Sequence, residues 1–315
     1  MGDASFACKV CGASAPRLLT LRNDLGPPHA LDLACCPSCG LVFVGTPIPP
    51  DRLSAAYAGV DWDAYYEQVH VTDRAKAARS AEDLQEWLTP GQAVLDVGCG
   101  SGYLLEELQG RIPALRVVGH ELPGPLVETL RRRGFDTYDC ELDRIPESFA
   151  LATLLDVAEH VPDPVATFRA IGRRLDEDGR VYLHTPRRSF WDACFLKLAR
   201  VPLLRRIAAV WIRMRVNIFH LQLWSDRSLA LALDRAGFEV ERLHAELELS
   251  WPLDLYARVW LERKLGLPAF VSRVATWVAD LVLVRCRTMR NKAVVVARKR
   301  AGAAASVRAA EGASV

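Results

Sequence analysis

Apolar and polar positions change rhythm along the chain. Residues 51–90 read as helical, most clearly over Arg74–Leu88. From Ala93 short apolar runs alternate with amphipathic stretches. The runs Ala93–Val97, Arg116–His120, Phe135–Tyr138, Leu151–Leu155 and Arg180–His184 predict strands. Tyr103–Gln109, Gly124–Arg133 and Val165–Leu175, lying between them, predict helices. A further helix is expected over Ser225–Ala236, stopped by Gly237, and final strands at Phe238–Leu243 and Ala293–Ala297. Apolar strands separated by helices imply a parallel sheet covered on both faces. Two stretches break the alternation, about 187–222 and 250–290, both rich in Trp, Leu and Arg. Residues 1–45 are rich in Cys and Gly, and 46–90 hold the stiff segment Thr46-Pro47-Ile48-Pro49-Pro50 followed by helices. Residues 91–300 carry the alternating pattern, and 301–315, mostly Ala, Gly and Ser, read as a disordered tail.

With 50% hydrophobic and 25% charged residues among 315, the chain has the balance of a globular protein. The net charge of +2 hides an asymmetry. Residues 1–186 carry 17 basic and 27 acidic side chains, residues 187–315 carry 23 and 11. Such a split points the second half toward something anionic: a membrane surface, a phosphorylated substrate or nucleic acid. The start, MGDASFACKVCG, lacks a basic stretch followed by an apolar run, so a cytoplasmic protein with reduced cysteines is expected. Leu265–Val284 has the length of a membrane span, but Arg273 and Asp280 interrupt it. Each charge costs ~2.5–3.5 kcal/mol at a membrane centre, so the expectation is at most peripheral contact with an anionic membrane.

The segment Val94-Leu95-Asp96-Val97-Gly98-Cys99-Gly100-Ser101-Gly102-Tyr103 joins a buried strand to a helix through a Gly-x-Gly-x-Gly turn. Glycines let a ligand approach the backbone, and the helix start offers free N–H groups. The next strand ends at Glu121, an acid ~20 residues on, where a ribose diol is bound in nucleotide folds. The loop does not read G-x-G-x-x-G, as a nicotinamide site would.

These residues resemble the class I S-adenosylmethionine-dependent methyltransferases. VLDVGCGSGYLL is similar to their first motif. LLDVAEHVPDP (Leu154–Pro164), GRVYLHTP (Gly179–Pro186) and FHLQLWSDRSLALALDRAGFEV (Phe219–Val240) resemble later segments in the expected order. The resemblance implies an α/β, Rossmann-like, doubly wound seven-stranded sheet of order 3-2-1-4-5-7-6, with helical insertions after strands 5 and 6. It also implies S-adenosyl-L-methionine as cofactor. Asp96, Gly98, Gly100 and Gly102 would line its methionine end and ribose, Glu121 would take the ribose hydroxyls, and Leu122 would flank the adenine. Cys140 and Glu141 would lie near the adenine amine, and Asp156 beside the sulfonium. Tyr65 and Tyr66 resemble an aromatic pair found upstream in such enzymes.

Cys8-x-x-Cys11 and Cys36-x-x-Cys39 are separated by 24 residues, and each pair is followed by a glycine, Gly12 or Gly40. Two such knuckles suit one tetrahedral Zn²⁺, structural because no ligand position stays open. Cys35 is adjacent but out of register. For transfer to an oxygen, a histidine is the usual base. His160, just past the fourth strand, and His220, on a segment returning toward the pocket, are the candidates. From Arg187 to Arg215 eight Lys or Arg interleave with Phe190, Trp191, Leu203, Trp211 and other apolar residues against one acid, Asp192. Both insertions fit either a helical cap with its own core or a membrane-facing surface for a lipid-linked acceptor. The aromatics look like helix faces rather than a base-stacking platform, which argues against nucleic acid. The reading is a methyltransferase acting on a small-molecule or lipid-linked acceptor, by O-methylation. The alternative is a non-enzymatic zinc-containing interaction module on the same scaffold.

Overall fold

The computed structural model describes the chain apart from residues 1–4, 24–27, 60–61, 249–261, 263–267, 286 and 302–315. The proposed tail, Trp251, Tyr256, Trp260 and Cys286 therefore lie outside the described residues. Tyr65 and Tyr66 sit on a described helix, but their side chains are likewise outside the description.

The alternating pattern folds as a seven-stranded sheet. Its strands are β5 (Ala93–Val97), β6 (Arg116–His120), β7 (Asp136–Tyr138), β8 (Phe149–Leu155), β9 (Leu175–Pro186), β11 (Phe238–Glu246) and β12 (Lys292–Lys299). They lie in the order β11-β12-β9-β8-β5-β6-β7. β5, β6, β7, β8 and β9 pair in parallel, while β12 is antiparallel to both β9 and β11. Alternate residues of the central strands point to opposite faces. Leu95 and Val118 join one core with Phe168 of α5 (Pro164–Arg173) and Leu229 of α8 (Asp226–Arg235). Val94 and Val117 join another with Ala81 of α2 (Trp62–Leu84), Leu105 of α3 (Tyr103–Arg111) and Leu130 of α4 (Pro125–Arg132). The helix starts are built locally. The Asp163 side chain accepts from Ala166 N–H at α5, and Ser225 with Ser228 forms a capping box at α8.

The N-terminal residues form a second, antiparallel sheet: β1 (Ser5–Ala7), β2 (Ser14–Arg22), β3 (Ala30–Cys35) and β4 (Val42–Val44). Its fifth strand comes from far along the chain. β10 (Gln222–Leu223) pairs antiparallel with β4. The first insertion folds as α6 (Phe190–Leu198) and α7 (Arg205–Arg215), whose inner residues Leu196, Ala208 and Ile212 pack on Leu19, Leu33 and Val44 of this sheet. The helix pair thus neither builds a core of its own nor stands free on both sides: one face covers the N-terminal sheet. α1 (Pro50–Ala58) connects the two sheets, and Leu53 and Ala56 pack against the same cluster. The second insertion is described as the helix Ala269–Arg285. Among the described residues no helix is long and apolar enough to cross a membrane.

Candidate functional site

Because β5, β6, β8 and β9 run in parallel, the residues following them collect at one edge of the sheet. After β5, Gly98, Gly100 and Gly102 take φ of 68°, 51° and 76°, a region that favours glycine. Space demands it too: a Cβ on Gly98 would stand 2.6 Å from Val157 Cγ2, and one on Gly102 2.5 Å from Leu130 Cδ2. The Glu121 carboxylate at the end of β6 accepts from Gly100 N–H and from Leu122 N–H, both at 2.8 Å. Asp96 is buried and accepts the Thr153 hydroxyl at 2.6 Å. Burial pushes its carboxyl up to about 7, against the Thr153 hydrogen bond. Leu122 is 63% exposed. Cys140, half-buried, offers its carbonyl to His120 Nε2 at 2.9 Å, and exposed Glu141 precedes a one-turn helix, Leu142–Arg144.

Asp156, after β8, is the only non-glycine residue at positive φ among those described, at 54°. Its carboxylate is clamped by two lysines. Lys76 Nζ of α2 lies at 2.7 Å, and Lys292 Nζ of β12 donates to the other oxygen. His184, 2% exposed, stands 3.4 Å away. Burial alone would raise the Asp156 carboxyl, but Lys292, Lys76 and His184 hold it well below the usual carboxylate range. Neither lysine is singled out by sequence reasoning. The signal was a lone cation heading an otherwise apolar strand, Lys292-Ala293-Val294-Val295-Val296.

The structure brings the two candidate histidines together. Leu221 N–H donates to Glu159 O at 2.8 Å, and the Gln222 amide donates to Ala158 O and Val161 O at 2.7 and 2.8 Å. These bonds lay the 217–222 segment over the loop after β8 and set the His160 and His220 rings 4.8 Å apart. Burial lowers both imidazoles to about 4, so both are neutral near pH 7. Tyr57 of α1, which sequence reasoning missed, places its hydroxyl 3.0 Å from His160 Nδ1 and packs edge-on against Phe219. Glu159 is fully buried. Thr185 donates to one of its oxygens at 2.9 Å, and the other lies 3.8 Å from His160 Nε2. Burial, with Asp156 nearby, pushes its carboxyl up to about 8.

Cys8, Cys11, Cys36 and Cys39 converge on one point of the N-terminal sheet, all four sulfurs within 4.8 Å of one another. The Cys8–Cys39 and Cys11–Cys36 sulfur distances are 3.5 and 3.4 Å. Zn–S bonds of about 2.3 Å in a tetrahedron put sulfurs about 3.8 Å apart, so the donor set fits that ion. In each knuckle the following glycine closes a turn, Gly12 N–H to Cys8 O and Gly40 N–H to Cys36 O, both 2.9 Å, with φ of 74° and 79°. Cys35 stays outside the cluster, paired across the sheet with Val42. The cluster is tied to the larger sheet's layer, since Ser225 Oγ donates to Cys39 O and Arg188 donates to Gly40 O, both at 2.7 Å.

Ubiquinone biosynthesis O-methyltransferase of Neisseria meningitidis serogroup A is 36% identical over 106 residues, 30% of this chain and 44% of that one. The protein of the same name from Xanthomonas oryzae pv. oryzae (strain PXO99A) is 36% identical over 109 residues, 31% and 45% of the two chains. The chain thus spans less than half the length of these curated relatives. Among solved structures, a chain of the complex between the Haloferax volcanii Trm112 methyltransferase activator and a methyltransferase aligns with a TM-score of 0.51 at 17% identity. The alignment covers 76% of this chain and 98% of that one, a likeness of fold. A family model described as Methyltransferase domain matches residues 68–243, which hold the glycine loop, Glu121, Asp156, His160 and His220. That match takes in more than half of the sequence, and the chain belongs to the methyltransferase domain family.

Proposed function

We propose that the protein binds S-adenosyl-L-methionine and methylates an oxygen of a small-molecule or lipid-linked acceptor. The observation that carries the reading is the contact of the Glu121 carboxylate with Gly100 N–H, which sets a diol-binding acid against the glycine loop at the sheet's ligand-bearing edge. When bound, the cofactor supplies the electrophilic methyl group and its own leaving group. Glu121 holds the ribose hydroxyls, Gly98, Gly100 and Gly102 admit the cofactor to the backbone, and Asp96 stands under the loop. Leu122 covers the adenine, with Cys140 and Glu141 on the next loop. Asp156, kept anionic by Lys76 and Lys292, faces the sulfonium charge. His160 is the base for the acceptor hydroxyl. The Tyr57 hydroxyl at Nδ1 orients the His160 ring, and the neutral imidazole takes the acceptor hydroxyl proton. His220, against the same ring, positions the acceptor. The naming of the curated relatives as O-methyltransferases supports oxygen as the accepting atom.

The four cysteines hold one structural Zn²⁺, which ties β1 through β4 to the N-terminus of α8. Calorimetric titration with S-adenosyl-L-methionine tests the main reading. One site is expected, and Glu121→Ala should weaken it by ~1.5–3 kcal/mol, the scale of hydrogen bonds to a charged group. Absence of binding by the intact protein would overturn the enzyme reading.

A further inference from the structure

The outer face of α7 is apolar where solvent should meet it. Ile207, Val210 and Met214 are exposed at helical spacing, and Leu203, just before the helix, is 87% exposed. Arg206 and Arg213 share this exposed side, while Ala208 and Ile212 are buried against the N-terminal sheet. A helix apolar on both sides belongs in a core or in contact with something apolar. The helix Ala269–Arg285 repeats the arrangement: Phe270, Val274 and Trp277 are exposed one turn apart, with exposed Arg273 among them. Phe190 and Trp191, each 46% exposed, add to it at the start of α6. These elements adjoin one another: α6 packs on α7, and the one-turn helix Arg287–Met289, which follows Ala269–Arg285 in the chain, packs on α6.

The charge around this face is mainly positive, although Asp32 of the N-terminal sheet lies 3.8 Å from Arg17 and Glu262 accepts from Ser272 of the helix Ala269–Arg285. Between Asp192 and Asp226 the sequence has no carboxylate, and Asp192 is buried, holding Trp211 Nε1 at 2.9 Å and Arg215 Nε at 3.2 Å. Beside the start of α7 lies a cleft of about 430 Å³ lined by Pro16, Arg17, Leu18, Cys35, Arg200 and Arg205. Arg17 shares its charge with Asp32 at 3.8 Å and Arg205 gives Nε to Ala199 O at 3.1 Å, which leaves Arg200 and the remaining guanidinium N–H groups as forked donors that match a phosphate. A second copy of the chain is a poor occupant, since a two-fold contact would face Arg206 and Arg213 with their own like charges.

We infer that this face docks on an anionic lipid bilayer. Leu203, Ile207, Val210 and Met214 enter the headgroup–acyl boundary, and Arg17, Arg200 and Arg205 take a lipid phosphate. The inference does not rest on the methyl-transfer reading, and its test uses neither cofactor nor acceptor.

The test is co-sedimentation of the full chain with vesicles of phosphatidylcholine alone or mixed with phosphatidylglycerol, at low and high salt. Binding should require the anionic lipid and weaken with salt. Arg200→Gln with Arg205→Gln should lower the partition about thirtyfold, from ~1 kcal/mol, or about fivefold, per cation near the surface. Ile207→Ser with Val210→Ser and Met214→Ser should lower it at least about tenfold. Val71→Ser, at an exposed valine on α2, should leave it unchanged. Absence of binding to either vesicle would overturn the inference. So would self-association of the parent that the triple serine variant abolishes, which would make a second copy the occupant.

Discussion

Replacing Lys292 by Met tests whether the Asp156 clamp is structural. The Lys292 side chain is 11% exposed, and its ammonium lies between Asp156 and Glu248, the latter at 3.4 Å. Methionine keeps much of the volume and removes the charge. Stranding one partner of a buried ion pair costs ~3–5 kcal/mol, but Lys76 remains on Asp156 at 2.7 Å, so the expected loss is about 2–3 kcal/mol. Against a typical stability of ~5–15 kcal/mol this is a large change, read as a lowered urea midpoint with unchanged slope. The pH dependence follows from the depressed carboxyl. Asp156 stabilises the fold above its unfolded pKa of ~3.9 and loses that contribution as pH falls through the lower folded value. Without Lys292 the folded value rises, so the variant should begin acid unfolding at higher pH. Adding Asp156→Asn should recover more than half of the loss, because asparagine tolerates positive φ and Lys76 keeps a carboxylate partner in Asp73 at 2.9 Å. A single variant within ~0.5 kcal/mol of the parent, or a double variant whose losses simply add, would refute the reasoning.

Gly98→Ala should cost more than the ordinary ~1 kcal/mol scale of a glycine change, since φ is 68° and Val157 blocks the new Cβ, and it should reduce cofactor affinity in the same titration. Elemental analysis should find one zinc per chain, and Cys36→Ser should release it and lower the thermal midpoint of the whole protein, because the knuckles share a core with Trp224 and Leu229. His160→Gln should lower kcat ~10²–10⁴-fold with cofactor affinity unchanged. With both histidines lowered to about 4, kcat should hold down to near that pH, and a fall centred near 6.5 would contradict the assignment. The unfolded chain protonates these groups first, near 6.5, so stability should decline as pH drops from about 6.5 toward 4.

The seven strands of the large sheet were legible because each is a short apolar run closed by a turn, and the ligand-bearing edge followed from the glycine loop and Glu121. The cysteine cluster was legible from spacing alone. The strands β1–β4 were not: β1 and β4 have three residues each, and β2 and β3, though nine and six residues long, lie between the two Cys-x-x-Cys pairs that dominate this part of the sequence. β10 is two residues long, Gln222 and Leu223, and nothing local marks it as a strand. Lys76, Lys292 and Tyr57 escaped because their partners lie 80, 136 and 103 positions away, and a solitary Lys or Tyr carries no periodicity. The insertions showed their basic and apolar character, but which face they bury is decided by the N-terminal sheet, a partner that the sequence does not announce.

The pairing of β4 with β10 also bears on the order in which the protein is made. Phe43 and Val42 leave the ribosome about 180 residues before Gln222 and Leu223 exist to pair with them. At ~5–20 residues per second the nascent N-terminal sheet waits roughly 10–40 s with β4 as an open edge and with Leu33 and Val44 lacking their cover from α6 and α7. An open edge beside bare apolar residues is a site for pairing with another chain. Nascent chains stalled before residue 222 should therefore be the aggregation-prone species, and early capture of metal by the four thiols would shorten the exposure only in part, since the last strand still has to be synthesised.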